Sequence, residues 1–417
     1  MNKILIFITL ILPLELWSQT NDTLFFVDCM KMSIENMQIN KTDSLNSQII
    51  GLQKQNIKST YFPKITLNGQ ATYQSDALSL DIPIPGLTIP EMPLDQYKAY
   101  IELNQILYDG GMTKATAQML DLNLQMSNIQ SQIREIEIKK AVSDIFSLVV
   151  LMDKQLEIIN TQLGNLYEQQ KIVESSVKNE LLPPVNRDIL EAEILKVEQK
   201  KTEIQETRTA AIYTLSQYTG KNYSETTKFV IDNYINLSDT MTSPQLKIID
   251  IQKQQTVISD KQLSAGRKPK LFLFAQGGYG RPGLNMLSDE FSPYFIGGVK
   301  LSWNLYDWNN TSRNRQINMI KQDELEIQHQ NTLITINAKK ANILAKVNTT
   351  EKQIEIDKRI IELNEKIMKT YESQLKNGII TTSDYIIQLN KLSQAKIQLE
   401  LHKIQLKQLK YDYTLVY

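Results

Sequence analysis

The phrase LNQILYDGG at residues 103–111 returns 198 residues later as LSWNLYDWNN at 301–310, and it does not return alone. FPKITLNGQATY at 62–73 matches KPKLFLFAQGGY at 268–279 with an offset of 206, and VKNELLPP at 177–184 matches LKNGIITT at 375–382 with an offset of 198. Three landmarks in one order define an internal duplication, and a duplication constrains the whole fold before any single element does. The change of eight in the offset places extra residues between the two strands of the first copy. The shared Pro-Lys and Leu-Tyr-Asp are not residues that a chain rich in Ile, Leu, Lys, Gln and Asn repeats through bias alone.

Each copy opens on two strand-like segments. In the first, Ile65, Leu67, Gly69, Ala71 and Tyr73 point one way and Thr66, Asn68, Gln70, Thr72 and Gln74 the other, the two-residue period of a pleated strand. The second sets Ala99, Ile101, Leu103 and Leu107 against Lys98, Glu102 and Asn104. The fourth sets Gly297, Val299, Leu301, Trp303 and Leu305 against Lys300, Ser302 and Asn304, while the third is apolar on both faces at its start. Each has about the ~9–11 residues that a tilted membrane strand needs. Tyr61, Phe62, Tyr108, Tyr294, Phe295, Trp303, Tyr306 and Trp308 fall towards strand ends, where a membrane barrel carries its aromatic girdle. The strands alone fit two soluble hairpins with one buried face equally well. A water-filled barrel would line its lumen with Thr66, Asn68, Gln70, Lys98, Glu102, Asn104, Lys300 and Asn304.

After each hairpin the period changes. Apolar residues fall at Met112, Ala115, Met119, Leu122, Met126, Ile129, Ile133 and Ile136, then resume after a phase slip at Ile138, Val142, Ile145, Val149 and Met152 and onward to Val177. This is a coiled-coil seam with a stutter-like break. No proline interrupts it, and roughly 70 residues at ~1.5 Å each make a rod of about 105 Å. The second copy is unbroken from Arg313 to Lys376. KNELLPP is expected to stop the first rod through its prolines, and KNGII the second through Gly378 just past the helix.

The predicted organisation is a signal peptide at 1–18, a first repeat at 19–217, an irregular segment at 218–243 and a second repeat at 244–417. The first repeat comprises an N-terminal helix, a hairpin at 62–108, a long helix at 109–180 and a return helix at 187–217. The second comprises a helix at 244–265, a hairpin at 268–307, a long helix at 308–376 and a return helix at 384–413. Lys3 and the apolar run at 4–14, too short to span a bilayer, carry the signal-peptide reading. At the junction of strand and rod, Asp109 can cap the helix, with Gly110 letting the chain swing. Asp307 stands in the same place, but Trp308 and Asn309 replace the glycines, so the aspartate rather than the glycine pair reads as the shared requirement.

Composition excludes several functions. Lys plus Arg and Asp plus Glu both number 46, which gives no electrostatic reason for a nucleic-acid partner. One cysteine, Cys29, excludes an internal disulfide and reads as partly buried. Two histidines without clustered ligands argue against a metal site, and no cofactor or catalytic set is expected. His329 and His402 lie in polar helical runs and read as solvated.

The predicted fold class is mainly α with a small antiparallel β part, built from two internal repeats. Four strands leave open edges and are too few to close a barrel in lipid. A membrane form must therefore oligomerise, and three chains would supply twelve strands.

The paired hairpins, the strand exits LYDGG and LYDWNN, the long helices and the tip phrase KNGIITTSDYIIQLNKL together resemble the TolC-like outer membrane efflux family, over almost the whole chain from about Asp28. The resemblance implies a homotrimer, with a twelve-stranded β-barrel in the outer membrane continued by a coiled-coil α-barrel across the periplasm. It implies partners as well: a periplasmic membrane-fusion adaptor and an inner-membrane RND or ABC transporter. The family places its gate at the helical turns, and here Gly378 and Asp384 match the spacing. Ile387 stands where some members carry a second acid. In the first repeat Asn186 takes the place of Asp384, beside Arg187 and Asp188. Asp384 reads equally as a helix cap at the turn. Leu181, Leu182, Ile379 and Ile380 are candidates for adaptor contact or for knobs within the coiled coil. The proline-rich loop at 75–95 reads as a strand-breaking cap. A secreted coiled-coil structural protein with soluble hairpins is the competing reading.

Overall fold

A computed structural model describes residues 23–76, 94–231, 243–285 and 288–416. The expected signal peptide and nearly all of the loop at 75–95 lie outside them. In chain order the first elements are β1 (Thr23–Phe25), α1 (Phe26–Asn36), α2 (Ile39–Lys58), β2 (Lys64–Tyr73), β3 (Asp95–Tyr108), α3 (Met112–Lys178) and α4 (Val185–Thr219). Then follow β4 (Lys228–Val230), α5 (Pro244–Gly266), β5 (Lys270–Arg281), β6 (Ser292–Ser302), α6 (Asn310–Lys376) and α7 (Thr382–Leu415). The chain forms two compact units. One is built from Ile39–Arg134 and Met241–Ala338, the other from the chain up to Gln38, Glu135–Thr240 and Lys339–Val416.

The first unit holds an antiparallel sheet of order β2-β3-β5-β6. Each repeat supplies one hairpin, and β3 pairs with β5 to join them. β2 and β6 are the free edges among the described residues. The strands are of membrane-spanning length, from 10 residues in β2 to 14 in β3. The sheet departs from the sequence reading in two places. β6 ends at Ser302, so Trp303, Asn304 and Leu305 are not strand residues. Its register pairs Ser302 with Lys270, which puts the next partner at Pro269, and proline has no N–H to continue the ladder. In β3 the register shifts between Ile106 and Tyr108, so Leu107 is the extra residue of a bulge rather than part of the alternating face.

Beneath the sheet in the same unit, α3 packs on α5 through Ala115, Leu122, Ile251 and Ile258. Polar contacts fasten the flanking helices: Asn46 to Ser127 and Lys54 to Asp121 tie α2 to α3, while Gln322 to Thr256 and Asn318 to Asp260 tie α6 to α5. Apolar stripes stay uncovered on the two flanking helices, Leu45, Ile49 and Leu52 on α2 and Ile317, Ile320, Ile327 and Ile334 on α6.

The second unit is mainly helical, with the short strands β1 and β4, and has two cores. One gathers Ile159, Leu163, Leu166, Leu190, Ile194, Met368, Tyr385 and Leu389 from α3, α4, α6 and α7. The other surrounds Phe146, with Phe26, Cys29, Val142, Leu215 and Phe229. Full burial of side chains such as Phe146 and Leu215 contributes about 1.5–3 kcal/mol each.

Four further sequence readings are corrected here. The N-terminal helix is broken after Asn36, where Gln38 turns left-handed with φ 53°. The break frees the Asn36 side chain to donate to the Gln217 and Tyr218 carbonyls at the C-terminal end of α4, at 3.1 and 3.0 Å. The segment read as irregular contains β4, which pairs in parallel with β1. Cys29 is fully buried, and burial pushes its thiol up to about 12, which removes the nucleophilic thiolate. His402 is not solvated: it is buried between α6 and α7, its Nδ1 2.5 Å from the Asp357 carboxylate and its Nε2 2.9 Å from Gln398. A polar helical run hides such a pair because the partner comes from another element.

Candidate functional site

Cross-strand register sorts the side chains of the sheet by face, since directly paired residues project to the same side. Thr66 pairs with Glu102, Gln70 with Lys98, Lys64 with Asn104, Glu102 with Gln276 and Phe272 with Lys300. Seven of the eight side chains expected to line a lumen therefore share one face, and Asn304 drops out because it lies beyond β6. Asn104 and Asn68 donate to the two carboxylate oxygens of Glu102 at 2.7 and 3.4 Å. On this side lies a concavity of about 640 Å³, lined in part by Lys64, Glu102, Phe272, Phe274 and Lys300. The opposite face presents Ile65, Leu67, Ile101, Leu273, Val299 and Leu301, all exposed. The third strand, read as apolar on both sides, turns Leu271 and Leu273 to one face and Phe272, Phe274 and Gln276 to the other.

Where strand becomes helix, the two repeats share one device. Asp109 is only 5% exposed and accepts from the backbone N–H of Gly111 at 2.8 Å and of Thr113 at 2.7 Å. It thus caps α3 from outside the helix, satisfying N–H groups that have no intrahelical partner. Burial alone would raise its carboxyl, but the bonds from Thr113, Gly111 and Tyr61 outweigh that and hold it at about 2. Asp307 does the same for α6, accepting from the Thr311 N–H at 3.0 Å and its hydroxyl at 2.5 Å. Those bonds, with Arg267 alongside, depress its carboxyl too.

The sequence reading of this junction is half corrected. Gly110 and Gly111 have φ of 78° and 96°, and Trp308 and Asn309 have 53° and 60°. The left-handed pair is common to both repeats, not the aspartate alone. Glycine is demanded at 110 for a second reason: a Cβ there would stand 2.5 Å from the Ala265 carbonyl oxygen.

The two helical turns also share a design. After α6, Gly378 has φ 68°, its N–H donates to Leu375 O at 3.0 Å, and the Ile379 N–H reaches Gln374 O at 2.9 Å. That is a Schellman ending. After α3, Glu180 takes the glycine's position with φ 62°, and Leu181 N–H donates to Ser176 O at 2.8 Å. The first rod is therefore stopped by its own backbone, and the prolines expected to stop it come later, with Pro184 at the N-cap of α4.

Asp384 is not the N-cap of α7. Thr381 is, and the two form a capping box in which Asp384 N–H donates to Thr381 Oγ1 at 3.2 Å and Thr381 N–H to Asp384 Oδ2 at 3.0 Å. The Thr381 hydroxyl, then its N–H, depress the Asp384 carboxyl, which stays exposed and charged. The spacing Thr381-x-x-Asp384 carries that box in the sequence. Asn186 bonds back to the Pro183 carbonyl, and Arg187 pairs with Asp188 at 3.0 Å. The four apolar candidates divide. Leu181 and Ile379 are 74% and 68% exposed, Leu182 packs on the core, and Ile380 is half-buried.

A sheet of membrane-spanning strands with one apolar and one polar face is what a membrane β-barrel needs. Solved structures match this chain at the level of fold. The outer membrane protein VceC of Vibrio cholerae matches with a TM-score of 0.71 at 13% identity over 94% of this chain and 95% of its own. The CmeC outer membrane channel of Campylobacter jejuni matches at 0.71 and 14%, over 94% and 85%, and CusC at 0.74 and 13%, over 93% and 92%. A search of curated proteins finds no match. Residues 243–414 match the family model for outer membrane efflux proteins. The chain accordingly has the fold of these outer-membrane channels.

Proposed function

We propose that the protein is the passive exit duct of a tripartite efflux or type I secretion system. Three copies would close a twelve-stranded barrel with the face of Thr66, Asn68, Gln70, Lys98, Glu102 and Lys300 towards water, and the helices would continue it into the periplasm. One observation carries this reading: the same unit is unfinished on both sides in complementary ways. Among the described residues β2 is a free edge reached from α2, and β6 is a free edge leading into α6. Both helices bear uncovered apolar stripes. In the order β2-β3-β5-β6, a β2 from the next copy would run antiparallel to β6, so head-to-tail association can close a ring. Lipid forbids leaving such edges open.

At the other unit, Asp384 and Gly378 would form the periplasmic gate with Asn186, Arg187 and Asp188 of the first repeat. Leu181 and Ile379, the exposed members of their pairs, would meet a periplasmic adaptor that couples the duct to an RND or ABC pump. A soluble coiled-coil protein offers no reason for the exposed aliphatic face of the sheet. Extraction and sizing test the proposal. Recovery from the outer membrane only with detergent, as a trimer, supports it, and release by salt alone as a monomer overturns it.

A further inference from the structure

We infer that the lumen of the barrel selects anions. This rests on the channel reading above. The polar face of the sheet carries Lys64, Lys98, Lys270 and Lys300, with Glu102 as its acidic residue. Each lysine is placed there by register: Lys64 pairs with Asn104, Lys98 with Gln70, Lys270 with Ser302 and Lys300 with Phe272. Among the described residues none of the four has an ion-pair partner, while the Glu102 carboxylate is held by Asn104 and Asn68. Between the ends of the strands the opposite face carries no charge: Asp95 and Arg281 sit at its rim, 3.6 Å apart.

Three of the lysines, Lys64, Lys270 and Lys300, gather at the end of the sheet nearest the helices, and Lys64 and Lys300 line the same concavity. Neighbouring strands lie about 4.8 Å apart, well inside a Debye length of about 8–10 Å, so the fields of these ammonium groups overlap. Repeated around a closed barrel with a low-dielectric lipid wall, one sign of charge is focused into the bore, which raises the local concentration of the opposite ion about tenfold or more. Anionic solutes are therefore those the barrel favours.

The test uses the full-length protein in planar lipid bilayers under a KCl gradient, with Asp384→Asn as the background so that the barrel dominates selectivity. Expected is a chloride-over-potassium permeability ratio above unity. It should fall about tenfold when Lys64, Lys98, Lys270 and Lys300 are all replaced by Gln, and rise with Glu102→Gln. Lys300→Glu alone should lower it and serves if the fourfold variant does not assemble. A conducting Asp384→Asn channel that prefers potassium, or one whose ratio is unmoved by Lys300→Glu and Glu102→Gln, overturns the inference and leaves the channel reading standing. A wild-type trimer that conducts nothing overturns the channel reading itself.

Discussion

Tyr61 donates its hydroxyl to Asp109 at 2.9 Å, and the residue at the matching place in the second repeat, Arg267, pairs with Asp307 at the same 2.9 Å. The duplicated aspartate has kept its task while its outer partner has changed from phenol to guanidinium. Tyr61→Phe should cost about 1 kcal/mol, and Asp109→Ala about 1–2 kcal/mol because it also uncaps α3. Amide exchange at Gly111 and Thr113 reads both, with faster exchange expected in the order Asp109→Ala, Tyr61→Phe, wild type. Because the folded carboxyl of Asp109 is depressed to about 2, its contribution is fully present above the ordinary aspartate range. It should fade as the pH falls from there through about 2, and Asp109→Ala should abolish that part of the acid response.

Glu180 and Gly378 hold the same left-handed position at the two tips, φ 62° and 68°. A side chain there is strained by roughly 1 kcal/mol. Glu180→Gly should therefore stabilise the first turn by up to about 1 kcal/mol, whereas Gly378→Ala should destabilise the second by a similar amount. Denaturant midpoints measured in detergent decide the sign, and equal shifts for both would contradict the shared ending.

Gly110→Ala combines a left-handed backbone with a collision against Ala265 O, and should cost about 1–3 kcal/mol. Trp308→Gly makes the opposite change at the repeat's counterpart. It relieves the φ of 53° but removes a ring that is 77% exposed and meets Tyr306 edge-on at 4.9 Å. Thermal melts of the assembled protein should show a clear loss for Gly110→Ala and no loss of that size for Trp308→Gly. If the tryptophan ring anchors the junction at the lipid interface, Trp308→Gly will instead weaken retention in the membrane.

Asp384 is exposed and its carboxyl is depressed by Thr381, so it is charged at neutral pH. Asp384→Asn should shift the reversal potential of single channels away from cations. Thr381→Val removes the capping hydroxyl and keeps the carboxylate, so it should lower helix stability by about 1 kcal/mol with selectivity retained. Selectivity that moves equally in both variants would make Asp384 a cap and no more.

His402→Leu leaves the buried Asp357 side chain without that hydrogen-bond partner and should cost about 1–3 kcal/mol. The double variant with Asp357→Leu removes both polar groups and should recover most of that loss. A thermodynamic cycle in urea measures the coupling, and additive losses would show that the pair does not act as a unit.

The large features were legible in the sequence because they are periodic. A two-residue alternation put Thr66, Lys98, Glu102 and Lys300 on one face, and a heptad seam gave α3 and α6 their length. What escaped depends on partners distant in sequence. Lys64 and Lys270 entered the polar face only once register joined β2, β3, β5 and β6, since Lys64 sits in the Pro-Lys landmark and Lys270 precedes the doubly apolar start of β5. The positive φ at Glu180 and Trp308 leaves no mark in residue type. β1 and β4 are three residues each and parallel, too short for any period to show.

The pairing of β3 with β5 has a consequence for assembly. It joins the hairpins of the two repeats into one four-stranded sheet within a single chain. A single-repeat ancestor building the same ring would have had to find every hairpin neighbour by diffusion. Gene duplication halves the number of seams left to chance encounter and makes half of the joints intramolecular. In the proposed ring the register of that internal joint would be fixed within each chain, leaving errors of stagger to the joint where β6 would meet the β2 of another copy.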